Sequence, residues 1–137
     1  MTRTPTNQRA ADDRGLAGIA ATIMLLVVLA GATLIYDGGR ALVAQRQIIN
    51  VAEGAARAGA ATADRYGLQQ EPAVAAAIAH VAAAGVPDSD IVAITATADR
   101  VTVTLRAHRT GVFTSLLGRS TLTVTGTGTA EAAYLDL

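Results

Sequence analysis

Hydrophobic and polar positions divide the chain into three regimes. In the first, no residue between Arg14 and Asp37 is charged: Gly15 to Tyr36 gives 22 residues in which only three Gly and two Thr interrupt the apolar character. As a helix this segment is about 33 Å long, close to the hydrocarbon thickness of a bilayer. Its densest part, Ile23, Met24, Leu25, Leu26, Val27, Val28 and Leu29, carries no polar side chain. No face is left for water, and the pattern predicts a transmembrane helix over 15–36. Tyr36 falls where an aromatic ring meets the headgroups. A signal peptide cut after Ala30-Gly31-Ala32 is the alternative, but the apolar run continues through Leu34 and Ile35 to Tyr36, which favours a retained anchor.

The second regime is helical and rich in small residues. Gly38 and Gly39 each cost ~1 kcal/mol against Ala in a helix, and they predict a hinge at the membrane surface. From Arg40 to Arg65, Leu42, Gln45, Ile49, Ala52, Ala56, Gly59 and Ala63 recur at steps of three and four. Ala52, Ala56 and Ala60, with Ala55, Gly59 and Ala63 beside them, form a face that lets another element approach the backbone closely. Arg46, Glu53, Arg57 and Asp64 supply the solvated side. A second helix is expected from Glu71-Pro72 to about Ala84, stopped by Gly85 and Pro87.

In the third regime the period changes to two. Val92, Ile94 and Ala96 alternate within 91–97, and Val101, Val103, Leu105 and Ala107 alternate with Thr102, Thr104, Arg106 and His108. These are two strands joined through Ala98-Asp99-Arg100 as an antiparallel hairpin. A short helical turn is expected over 113–117, ended by Gly118. A third strand follows, in which Leu122, Val124, Gly126, Gly128 and Ala130 alternate with Thr121 to Thr129. Three strands with one apolar face need cover, and the Ala-rich helices provide it. The expected fold is α+β: one N-terminal transmembrane helix, then Ala-rich helices packed on a small antiparallel sheet. The expected divisions are a cytoplasmic tail over 1–14, the span over 15–36, a membrane-proximal helix over 37–66 and an extracytoplasmic α+β domain over 67–137.

Composition narrows the function. Of 137 residues, 31 are Ala and 13 are Gly, and aromatic residues make up 3%, so close packing through small side chains replaces a bulky core. Eleven Arg and no Lys balance eleven acids. The Arg residues are spread from Arg3 to Arg119 without a basic stripe or aromatic platform, which argues against nucleic acid as a partner. Arg3, Arg9 and Arg14 precede the span and Arg40 and Arg46 follow it. That bias, with a long C-terminal portion that translocates regardless of charge, places the N-terminus in the cytoplasm.

Chemistry-bearing motifs are missing. Cysteine is absent, and neither His80 nor His108 stands in a recognisable triad with Ser89, Ser115 or Ser120. His80, in an Ala-rich helix, is expected to be partly buried or to face a partner; His108 is expected to be exposed. Asp88-Ser89-Asp90 lacks the further oxygen ligands of a calcium loop. The Gly126-Thr127-Gly128 stretch keeps the strand period rather than opening a helix as a phosphate loop would. No enzymatic activity, cofactor, metal or small-molecule substrate is expected.

The run from Arg14-Gly15 through the span to DGGRALVAQRQIINVAEGAARAGAATAD, over 37–64, resembles the TadE/TadG-like proteins of the Tad (Flp) pilus-assembly system. Arg46, Gln47, Asn50 and Glu53, with Ala52, Ala55 and Ala56, match its pattern of Arg, Gln, Asn and an Ala-rich acidic stretch. FTSLLGRSTLTVTGTGTAEA, over 113–132, is similar to the family's closing strand. The resemblance implies a membrane-anchored, minor pilin-like or accessory protein of a type IV-like pilus at the bacterial cell surface. Its implied partners are the lipid bilayer and other pilus-assembly proteins or pilins. Pilin-like members carry Glu at the fifth position after a processing Gly, whereas Ala20 stands at that place after Gly15. A carboxylate there would neutralise a neighbouring amino terminus in an apolar filament core, so an anchor or accessory role is expected over a bulk shaft subunit. The alternative is a small secreted α+β binding module released near Ala32.

Overall fold

The computed structural model describes the backbone of residues 6–111, 118 and 121–133, and the side chains of that set from residue 15 onward. A 55-residue helix, α1 (Thr6–Ala60), is followed by α2 (Gln70–Ala83), a short 3-10 turn (Asp88–Asp90) and strands β1 (Ile91–Ala96), β2 (Arg100–Thr110) and β3 (Thr121–Glu131). The strands form one antiparallel sheet in the order β1-β2-β3. The fold is α+β, with one helix long and apolar enough to cross a membrane. The expected helical turn over 113–117 lies outside the described residues.

The expected hinge is not a break. Gly38 and Gly39 lie inside α1, which runs without interruption from residue 6 of the expected tail through the span and into the membrane-proximal helix. A cost of ~1 kcal/mol per Gly is small beside renucleating a helix, and both flanks are strong helix formers. At the other end α1 stops at Ala60, five residues before Arg65, because local polar groups capture the backbone. The Thr62 hydroxyl donates to the Gly59 carbonyl at 2.8 Å, and the Asp64 carboxylate accepts from the Tyr66 amide at 2.8 Å. Gly67 then adopts φ +105, closing a turn bridged to Asp64. These are side-chain alternatives to the helical ladder.

Helix α2 ends as its sequence implies. Gly85 has φ +75, its amide donates to the Ala82 carbonyl, and the Val86 amide donates to the Val81 carbonyl at 3.2 Å. This paired bond pattern satisfies carbonyls that the last turn would otherwise leave open.

One face of the sheet is dry. Val101, Val103 and Leu105 are fully buried, and Ala107 and Ala96 nearly so. They meet Ala52, Ala55, Ala56 and Ala60 of α1 and Ala73, Ala77 and Val81 of α2. Val92 does not share the face expected for it. A bulge between Ile91 and Ala93 sets Ile91 opposite Leu105, and Val92 is 54% exposed. An extra residue in one strand reverses the side-chain alternation beyond it, so Ile91 fills the inward place.

The opposite face is a ladder of threonines. Thr102 meets Thr129 at 3.4 Å and Thr104 meets Thr127 at 3.1 Å, while Arg100 and Glu131 close the far end at 2.6 Å. This face meets water through β-branched residues suited to strands.

Candidate functional site

The part of this molecule that calls for a function is α1, because its two halves meet different surroundings. Along 15–36 the side chains project from the fold: Met24 is 71% exposed and Ile35 78%, and Ile23, Leu25, Leu26, Val27, Val28, Leu29 and Tyr36 all exceed half exposure. Among the described residues, no core covers them. From Ala44 onward one side of the same helix is buried, with Ala44, Ile48, Ala52, Ala55, Ala56 and Ala60 each under 9% exposed.

The small-residue face sits against the sheet. Gly59 is buried and Ala63 half-buried, beside Ala52, Ala56 and Ala60. A Cβ on Gly128 would collide with the backbone of Ala52 and Glu53, and one on Gly126 would lie 2.8 Å from the Ile49 amide nitrogen. The backbones of β3 and α1 therefore touch where neither element could carry more bulk. Two residues of β3 correspond to four of α1, about 6 to 7 Å by either rise, so the two run side by side in the same direction. Gly59 completes the seam, where a Cβ would lie 2.8 Å from the Ala73 carbonyl oxygen of α2.

The seam is rotated from the expected stripe at its beginning. Leu42 is 61% exposed and Gln45 is also exposed, whereas Ala44 and Ile48 are buried, Ile48 against Gly126 of the sheet. The deciding factor is fit: Gly126 and Gly128 admit the Ile48–Ala52 side, and the bulk of Leu42 does not compete. The alternation of Gly126 with Gly128 was the available signal, although not for which turn of α1 it would receive.

The four resemblance residues separate in space. Arg46 is exposed. Gln47 and Asn50 line a cleft of about 420 Å³ between α1, the end of α2 and β2, together with Asp90, Arg106 and Arg109. Glu53 pairs with Arg57 one turn on, at 3.0 Å. The histidines also differ. His80 is exposed, yet its ring rests on Gly54, where a Cβ would lie 2.5 Å from Nε2. His108 is exposed as expected, within 3.5 Å of the Asp90 carboxylate and 3.1 Å of the Thr123 hydroxyl. Asp90 also lies 3.8 Å from Arg106, and Arg106 donates to the Ser89 carbonyl at 2.8 Å. The Ser89 contact is thus a backbone carbonyl accepting from an arginine. Ser115 and Ser120 lie outside the described residues. Among the described residues no group of three or more His, Cys, Asp or Glu is placed to hold a metal.

What these surfaces offer is adhesion: an uncovered apolar rod that continues, without interruption, into a helix seated on a sheet. Residues 15–62 match the Tad family model, described as Flp pilus-assembly TadE/G-like. The chain carries a TadE/G-like segment. The match spans the uncovered apolar rod, the Gly38-Gly39 junction, the four resemblance residues and the seam against β3. Comparison with curated proteins and with solved structures found no match.

Proposed function

We propose that this protein is a membrane-anchored, minor pilin-like or accessory component of Tad-type (Flp) pilus assembly, without catalytic activity. The observation that carries the reading is the uncovered apolar half of α1, 15–36, inside the TadE/G-like segment. A rod of about 33 Å whose large apolar side chains are exposed is stable in lipid and costly in water. The N-terminus lies in the cytoplasm and the sheet outside the cell, and the domain meets other pilus components through its exposed surfaces. Gln47 and Asn50 are candidates for that contact, since both are exposed in a cleft.

Deleting the gene in a pilus-forming host is expected to reduce surface filaments, with recovery on complementation; normal piliation would contradict the role. The mature N-terminus, read by mass spectrometry, separates the routes to the surface. An intact start supports a simple anchor and a start at Leu16 supports pilin-type processing. A start at Thr33 would replace this reading with a secreted binding module. Because the chain has no Cys, Thr4→Cys and Ser115→Cys report orientation by labelling intact cells with an impermeant thiol reagent. Labelling at position 115 but not 4 is expected.

A further inference from the structure

Where α1 passes from its uncovered half to its seated half, a cleft of about 470 Å³ opens beside Ile35, Tyr36, Gly39, Arg40, Val43 and Arg109. We propose that this cleft holds the headgroup phosphate of an anionic glycerophospholipid between Arg40 and Arg109. The proposal rests on the membrane reading above and adds a specific lipid contact to it.

Three observations lead there. First, the cleft is continuous with the surface assigned to lipid: Ile35 is 78% exposed, Tyr36 59% and Val43 57%. A ligand with an acyl chain could cover these side chains while its polar end stays in the cleft. Second, the two guanidinium groups come from different elements, α1 and the end of β2. Among the described residues neither makes a salt bridge, whereas Arg57, Arg100 and Arg106 each face a carboxylate. Arg40 lies over the Tyr36 ring at 5.7 Å from its centroid, which holds its charge at the end of the span. Arg109 donates one N–H to the His108 carbonyl at 3.0 Å and keeps its others available. Third, Gly39 leaves open space beside the helix, with nothing within 4 Å of where a Cβ would stand.

Guanidinium groups match phosphate oxygens in paired, charge-assisted hydrogen bonds. Asp37, one turn before Arg40, is the sole acid between Gly15 and Ala52, and it is buried at 8% exposure with a partner of its own. Among the described residues, those lining the cleft include two cations and no carboxylate. A zwitterionic lipid would bring a third cation to this cleft; an anionic one brings none. A free phosphate would leave the apolar wall uncovered.

The test uses the full chain in nanodiscs of equimolar phosphatidylglycerol and phosphatidylcholine, with retained lipid counted by native mass spectrometry after mild detergent release. Retention of one phosphatidylglycerol at about tenfold excess over phosphatidylcholine is expected. Arg40→Gln with Arg109→Gln should bring the ratio close to one, while Arg57→Gln with Arg65→Gln, which removes the same charge elsewhere, should leave it unchanged. A wild-type ratio near one, or equal loss in both double variants, would overturn the proposal. Inorganic phosphate added to the detergent-solubilised protein is expected not to bind; binding that depends on Arg40 and Arg109 would assign a soluble anion site instead. A chain that fails to enter the discs at all would overturn the membrane reading itself.

Discussion

The two halves of α1 share one backbone geometry and almost nothing else. Over 15–36 the helix carries Leu, Ile, Val and Met, and its large side chains are exposed; from Ala44 to Ala60 it carries, apart from Ile48, Ala and Gly on one side and is buried there. Bulk is what lipid rewards, since each apolar side chain gains by leaving water whatever its shape. Smallness is what the sheet rewards, since Gly126 and Gly128 bring the β3 backbone against the α1 backbone. One helix thus serves two solvents, and side-chain volume, not helix propensity, marks where one ends and the other begins.

The largest expected effect falls on the uncovered half. Leu25→Arg with Val28→Arg places two charges at the centre of the span, at about 3 kcal/mol each and roughly 6 together. The product is expected to leave the membrane fraction, measured by immunoblot. Unchanged membrane retention would mean that this half is not in hydrocarbon.

Adding one methyl group then sharpens the contrast between regions. Gly128→Ala puts a Cβ into the backbone of Ala52 and Glu53. A loss of about 3 kcal/mol is expected, or on the order of 15 °C in Tm, measured by circular dichroism in detergent micelles. The same methyl added by Gly38→Ala with Gly39→Ala meets nothing within 4 Å. That change is expected to raise helix stability by about 1 kcal/mol per site, seen as a higher Tm in the same measurement. Opposite signs for one chemical change would show that these glycines serve different purposes. A fall in Tm at Gly38 and Gly39 would instead show that the junction needs them.

Much of this arrangement was legible in the sequence because periodicity carries it. The uncharged run over 15–36, the alternation in Val101 to Ala107 and Thr121 to Ala130, and the Gly85 stop to α2 each follow from local patterns. What was hidden depends on contacts between elements. The bulge that turns Val92 outward appears only when β1 is set against β2. The shift of the buried stripe to Ile48 appears only when β3 is laid along α1. That the helix runs on through Gly38-Gly39 has a related reason: helix cost is counted per residue, but a helix already formed on both sides bridges a weak pair. The cleft between Arg40 and Arg109 was invisible for the same reason, since those residues are 69 positions apart in the chain.

The claim on which the account depends is that residues 15–36 reside in lipid, and gentle lysis of cells producing the full-length chain tests it most directly. After centrifugation without detergent, the protein is expected entirely in the membrane pellet, resistant to alkaline carbonate and released by detergent. Recovery of the full-length chain in the detergent-free supernatant would contradict the account.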